Sequence, residues 1–408
     1  MSKAIFFNIP ASGHVNPSLE LTAELVRRGE QMIYYNTEHY RKLIEATGAT
    51  FRPYTHIDDS YFGAPPMDGS NPPLAAERII TTTRDALPGL IDLVRAEQPD
   101  YLLYDSMCPW GALVGRVLGL PSVTSLALWV MTPAMMMRQV KPSMLVKAVR
   151  EMAGMMINGM PHILRFNQVS RAIGKAYGIK PLAFTEAFNA PADLVISYTS
   201  ATFQLDSDKL DKRIQFVGPM VAPRGDAPPF PLEQLDGKRV IYISLGTLIN
   251  TNLQFFKDCF AAFGDMPYTV VMAIGSRLNA EALGTIPPNF IVRPYVPQTE
   301  ILKRAVLFIS HGGMNSVHDA LYWNVPLLVV PQQSEQTFTA RRVVDFGAGL
   351  QLDAPTPETL RQSAERVLND PGFRQRAEAL GGTLREAGGA ARAADLVQEM
   401  VRAKASEK

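Results

Sequence analysis

The sequence predicts an α/β protein made of two strand–helix–strand halves. Three observations carry this. Near the start, apolar runs at 5–9 and 32–35 fit buried strands, and the segment between them places Leu19, Leu21, Leu25 and Val26 on one helical side. A second series of apolar runs begins at Val240 and continues through 269–274, 290–293, 306–310 and 327–330. Between the two series, residues 218–238 hold Pro219, Pro223, Pro228, Pro229 and Pro231, the clearest linker in the chain.

A chain of 408 residues is long enough for two domains, each with its own core. A net charge of +1 and no basic cluster interleaved with aromatics argue against a nucleic-acid partner. Two cysteines, Cys108 and Cys259, exclude a disulfide scaffold and fit a reducing, cytoplasmic compartment. Residues 3–10 read as a strand rather than a signal peptide. The uncharged stretch 117–137 is long enough for a membrane span. However, Gly119, Pro121 and Pro133 break it, so a helix end, a turn and the strand 122–128 explain it better. No transmembrane segment is expected, and the sequence leaves the oligomeric state open.

In order, the first strand leads into residues 10–17, read as a loop, where Asn16 is suited to cap a helix and Pro17 to be its first residue. Residues 52–73, rich in Pro, Gly and Asp, read as a loop. A helix is expected over 75–96, a strand over 101–104 ending at Asp105, a helix over 109–118 and strands at 194–197 and 215–217. From Trp129 to Met160 methionines recur, including Met131, Met135, Met152 and Met160. Methionine is common on adaptable apolar binding surfaces and in helical cores, and helices walling an apolar pocket would satisfy both readings. Helical segments close the chain from about Glu358 to Ala403.

The densest chemistry lies in residues 306–331: a buried strand, a turn at Gly312 and Gly313, a short helix from Met314, a left-handed stop at Asn324 and a second strand. Asn315, Ser316 and Asp319 share one face of that helix. Its N-terminus offers free N–H groups and partial positive charge, which suits a phosphate. His311, Asn315 and Ser316 can add donors, and Asp319 can accept bonds from a diol such as a ribose. At the other end of the chain, His14 and Asp105 each follow a strand, and in a parallel sheet those ends share one edge. A carboxylate beside an imidazole fixes its tautomer and raises its basicity.

These stretches resemble the family 1 glycosyltransferases of the GT-B fold, most closely the bacterial macrolide-glycosyltransferase-like branch, over essentially the whole chain. The resemblance implies two Rossmann-like domains facing each other across a cleft. An acceptor domain would span 1–218, completed by a C-terminal helix at about 390–408. A linker at 219–238 and a nucleotide-sugar domain at 239–389 would follow. It implies a general base, His14, in Gly-His-Val-Asn-Pro, and its partner, Asp105, in Tyr-Asp-Ser. Tyr295 and Val296 match the segment that binds the nucleotide base, with tyrosine where plant enzymes carry tryptophan. Gln298 would brace the loop or the ribose region. Gly246 and Thr247, in Ser-Leu-Gly-Thr, match a turn on the diphosphate. Gly13, Gly313 and Met314 are implied as further donor-binding positions. Asp319 stands where the family usually has glutamate and is one methylene shorter. Glu335 and Gln336 match a pair that holds sugar hydroxyls.

The implied activity is inverting and metal-independent transfer of a hexose, glucose from UDP-glucose by resemblance, to a hydroxyl of an apolar small molecule such as a phenol, flavonoid or macrolide. The UDP-sugar is a co-substrate and no cofactor is expected. Residue chemistry alone equally permits dTDP sugars. A nucleotide-sugar isomerase of the same fold would need no apolar acceptor pocket, and a non-catalytic binding protein would need no His14–Asp105 pair. Asp206-Ser-Asp208 matches a metal-binding pattern but sits among Lys209, Asp211, Lys212 and Arg213 and reads as a solvated turn. His39, His56, His162 and His318 form no metal-ligand spacing. The dinucleotide and phosphate-loop glycine motifs are absent from the sequence.

Overall fold

The computed structural model describes residues 2–55, 57, 71–130, 132, 135, 145–221, 229–246 and 252–407. The chain forms two compact units. The first comprises residues 1–198, 204–220 and 388–408, and the second residues 199–203 and 221–387.

The first unit is built on a seven-stranded sheet in the order β3-β2-β1-β4-β5-β6-β7. Its strands are β1 (Lys3–Phe7), β2 (Gln31–Asn36), β3 (Thr50–Pro53), β4 (Tyr101–Asp105), β5 (Ser122–Leu126), β6 (Leu194–Ser197) and β7 (Ile214–Phe216). Every pairing is parallel. Buried on both faces, the central strands read as continuous apolar runs: Ala4, Ile5, Phe6 and Phe7 of β1 are all inaccessible to solvent. The order reverses between β1 and β4, where Phe7 pairs with Tyr104, so the residues following these two strands lie side by side.

Helix boundaries follow local chemistry. The helix Pro72–Glu97 begins with Asn71 accepting from the Leu74 amide and with proline in the first turn, and it runs through Pro88. The 52–73 stretch contributes the end of β3 and the start of this helix, and residues 58–70 lie outside the described residues. The expected cap at Asn16 is not what the structure has. The helix Ser12–Arg27 starts five residues earlier, after Ala11, with Pro17 inside it. The Ala11 carbonyl accepts from the amides of both His14 and Val15, so the first turn closes over the glycine-containing stretch before Pro17 is reached. His14 therefore stands on a helix rather than in a loop.

Within the same unit the last helix, Gly389–Ser406, packs against Ser12–Arg27. Ala393, Ala394 and Val397 are fully buried there. Arg28 bonds Asp395 at 2.6 Å, and Gln398 donates to the Glu30 carboxylate at 2.7 Å. Of the methionine-rich stretch, Met131, Met136, Met137 and Met144 lie outside the described residues. The helix Leu145–Tyr177 continues it and leaves Ile157, Met160 and Leu164 exposed.

The second unit has a six-stranded parallel sheet in the order β10-β9-β8-β11-β12-β13. These strands are β8 (Val240–Ser244), β9 (Thr269–Ala273), β10 (Phe290–Arg293), β11 (Ala305–Ser310), β12 (Leu327–Val329) and β13 (Gly349–Gln351). The edge strand β13 is short and carries no apolar run, so the sequence gives no sign of it. Here the order reverses between β8 and β11. The segment Thr199–Phe203 belongs to this unit. Its Thr199 hydroxyl lies 3.0 Å from His318 Nε2, and Arg342 donates to the Phe203 carbonyl at 2.9 Å. Among the described residues no helix is long and apolar enough to cross a membrane.

Candidate active site and nucleotide-sugar site

In the first unit, the carboxyl ends of β1 and β4 bring His14 to Asp105. Nδ1 of His14 lies 2.8 Å from Asp105 Oδ2. Asp105 is fully buried and His14 is 9% exposed, so the imidazole alone reaches solvent. The other carboxylate oxygen, Oδ1, accepts from the Met107 amide at 2.8 Å. A carboxylate only accepts, so the proton between the two side chains sits on Nδ1, and in the neutral ring the lone pair is then on Nε2. Below the pair lies a buried polar network that the sequence did not single out. Asn8 Nδ2 donates to the His14 carbonyl at 3.3 Å, to Ser18 at 3.1 Å and to Tyr34 at 2.7 Å. It ties the first turn of the His14 helix to the end of β1. Gly13, next to His14, is exposed.

In the second unit the residues expected to hold a nucleotide sugar come from four loops at the carboxyl edge of the sheet. The helix Met314–Tyr322 starts after Gly313 with no side-chain cap and no acidic residue in its first turn, which leaves an electropositive end. Gly312 has φ +88°, the turn that lets this helix follow β11 directly. Gly313 has an ordinary φ, and its value lies elsewhere: a Cβ there would fall 2.5 Å from His311 Nε2. A Cβ on Gly246 would fall 2.6 Å from His311 Cε1. The imidazole thus lies between two glycines, one following each strand at the switch point. Burial pushes the His311 pKa down to about 4, a backbone hydrogen bond with Ser244 opposing it, so the ring is neutral at pH 7. Thr247 falls outside the described residues. Met314 is buried, while Asn315 and Ser316 are half-buried.

Asp319 and Gln298 are joined. Gln298 Nε2 donates to Asp319 Oδ2 at 2.7 Å, and both are more than nine-tenths buried. The buried Tyr242 hydroxyl of β8 donates in turn to Gln298 Oε1 at 3.3 Å. An inward-facing tyrosine within an apolar run reads as core from sequence, so this contact was invisible there. Tyr295 is 44% exposed and its hydroxyl donates to Ser276 at 3.1 Å. Val296 beside it is half-buried. Glu335 and Gln336 lie in the first turn of the helix Ser334–Asp345. Glu335 is exposed, and Gln336 Oε1 accepts from the Gln332 amide at 2.7 Å, which directs its Nε2 away from that loop.

Two of the discounted features have local partners of their own. Asp206 is at φ 48° beside the one-turn helix Ser207–Lys209 and pairs with Lys209. His162 pairs with Glu77 at 2.6 Å. Among the described residues no group of three His, Cys, Asp or Glu could hold a metal ion.

Two doubly wound parallel sheets, each with its polar residues at the switch point, form the architecture of the GT-B glycosyltransferases. Comparison with known proteins gives the family. Residues 257–400 match the model of the erythromycin biosynthesis protein CIII-like C-terminal domain. The chain is 32% identical to the uncharacterized UDP-glucosyltransferase YojK of Bacillus subtilis, covering 99% of this chain and 98% of that protein. It is 34% identical to the NDP-glycosyltransferase YjiC of Bacillus licheniformis over 96% of each. Among solved structures, the glycosyltransferase of kitacinnamycin superposes with a TM-score of 0.82 at 29% identity, covering 98% of this chain and 99% of that one. The protein belongs to the family 1 glycosyltransferases of the GT-B fold and is an enzyme of the macrolide and UDP-glucosyltransferase type.

Proposed function

We propose that the protein is an inverting, metal-independent glycosyltransferase that moves glucose from UDP-glucose to a hydroxyl of an apolar natural product. The observation that carries the reading is the 2.8 Å bond between His14 Nδ1 and Asp105 Oδ2. With Nδ1 protonated, Nε2 takes the proton of the acceptor hydroxyl as its oxygen attacks the anomeric carbon. The bond from that carbon to the diphosphate breaks on the opposite face, and UDP leaves with the electron pair. Asp105 stabilises the imidazolium formed, which then loses its proton to solvent.

On this reading His311, Gly246, Thr247 and the amides from Gly313 to Ser316 bind the diphosphate and stabilise the charge that develops on it. Tyr295 and Val296 hold the base, Gln298 and Asp319 the ribose, and Glu335 and Gln336 the sugar. The relative named a UDP-glucosyltransferase supports the donor. The erythromycin-type family match and the kitacinnamycin enzyme support a natural-product acceptor.

Incubation with UDP-glucose and a mixed panel of phenols, read by mass, tests it. A hexose added to a phenol is the expected result. A new isomer of the donor sugar, or binding without turnover, would replace this reading with an isomerase or a binding protein.

A further inference from the structure

We infer that Tyr242 is a positioning residue for nucleotide recognition: through Gln298 it sets the Asp319 carboxylate that reads the ribose hydroxyls. The inference rests on the ribose reading above.

The three side chains come from three separate elements: β8, the first turn of the short helix Gln298–Leu302, and the helix Met314–Tyr322. Tyr242 donates to Gln298 Oε1 at 3.3 Å, and Gln298 Nε2 donates to Asp319 Oδ2 at 2.7 Å. All three are buried, with Tyr242 2%, Gln298 6% and Asp319 7% exposed. A buried polar chain is held to one arrangement by the cost of leaving any member unpaired.

The polarity of the chain is fixed from both ends. Asp319 as a carboxylate only accepts, so the Gln298 amide nitrogen faces it and the amide oxygen faces the phenol, which must donate. The tyrosine ring is itself fixed, stacked on Phe308 of β11 with centroids 4.6 Å apart and planes 11° apart. Those strands flank the switch point, so the ring anchors the chain to the centre of the sheet. Aspartate is a methylene shorter than glutamate and reaches less far. Its carboxylate must therefore be held at one angle to meet a diol, and the amide held by Tyr242 does this.

The test is calorimetric binding of UDP and 2′-deoxy-UDP to the wild type and to Tyr242→Phe. Phenylalanine keeps the ring stacking and removes only the hydroxyl. The wild type should prefer UDP, and Tyr242→Phe should reduce that preference by about 2- to 10-fold, the range of one neutral hydrogen bond. In an Asp319→Ala background, adding Tyr242→Phe should leave the remaining preference unchanged. Equal weakening of both nucleotides by Tyr242→Phe, or an unchanged ratio, would make Tyr242 ordinary core and overturn the inference while leaving the ribose reading intact. A wild type that does not distinguish the two nucleotides would overturn the ribose reading and the inference with it.

Discussion

His14 and Asp105 are separated by 91 positions in the chain and by 2.8 Å in the fold. They meet because β1 and β4 are neighbours although β2 and β3 lie between them in sequence. The aspartate is fully buried, held from its second oxygen by the Met107 amide, and the histidine caps it towards solvent. In a pair so arranged Nδ1 is committed to the carboxylate, and the proposed base is the ring's other nitrogen, Nε2.

His14→Ala should therefore lower kcat/KM for aliphatic alcohol acceptors by about 10²–10⁴-fold. Transfer to acidic phenols or thiols should be partly spared, since these ionise without a base. Asp105→Asn should show the same pattern in milder form, because the imidazole remains but its tautomer is less well fixed. The measurement is kcat/KM over acceptors of graded pKa, with UDP affinity checked by calorimetry. A uniform loss across acceptors would show His14 positioning substrate rather than removing a proton.

Sugar recognition can be separated from nucleotide recognition at Gln336. Its Oε1 is engaged by the Gln332 amide, so on the proposed reading Nε2 is the group left to donate to a sugar hydroxyl. Gln336→Ala should weaken UDP-glucose binding by about 2- to 10-fold, with a smaller effect on UDP. An equal loss for the two ligands would assign Gln336 to shaping the loop alone.

Activity should survive EDTA. The expectation rests on the uncapped end of Met314–Tyr322, which carries positive potential and is the proposed site of the diphosphate. Assays with and without chelator decide it. Loss of activity restored by Mn²⁺ or Mg²⁺ would move the leaving-group role from the helix end to a metal.

The buried His318 makes the protein acid-sensitive. Burial lowers its pKa from 6.5 to about 3. The unfolded chain takes up this proton as the pH falls below about 6.5, whereas the folded chain resists until about 3, so its contribution to stability is complete above 6.5 and is lost towards 3. Between pH 7 and pH 5 the loss from this group is about 2 kcal/mol. His318→Gln should be less stable at pH 7 but should show a shallower decline in urea melts at pH 7 and pH 5. Parallel declines for wild type and variant would mean that another group dominates the acid response.

The sequence by itself determined the elements and the family. Buried parallel strands must be apolar on both faces, so the strands of the two central sheets stand out as runs, and glycine and asparagine are written where φ must be positive, as at Gly312 and Asn324. The edge strands β3, mostly exposed and read from Arg52 on as loop, and β13, three residues long, left no such mark. The start of the first helix was misread because Asn16-Pro17 is a helix-start signal on local grounds, whereas hydrogen bonds from His14 and Val15 to the Ala11 carbonyl begin the helix earlier. Only tertiary structure could decide which polar groups meet. Strand order brought His14 to Asp105, set the His311 ring between Gly246 and Gly313, and linked Tyr242 through Gln298 to Asp319. Periodicity records which face of an element is buried, and it carries no information about which side chain of another element waits on that face.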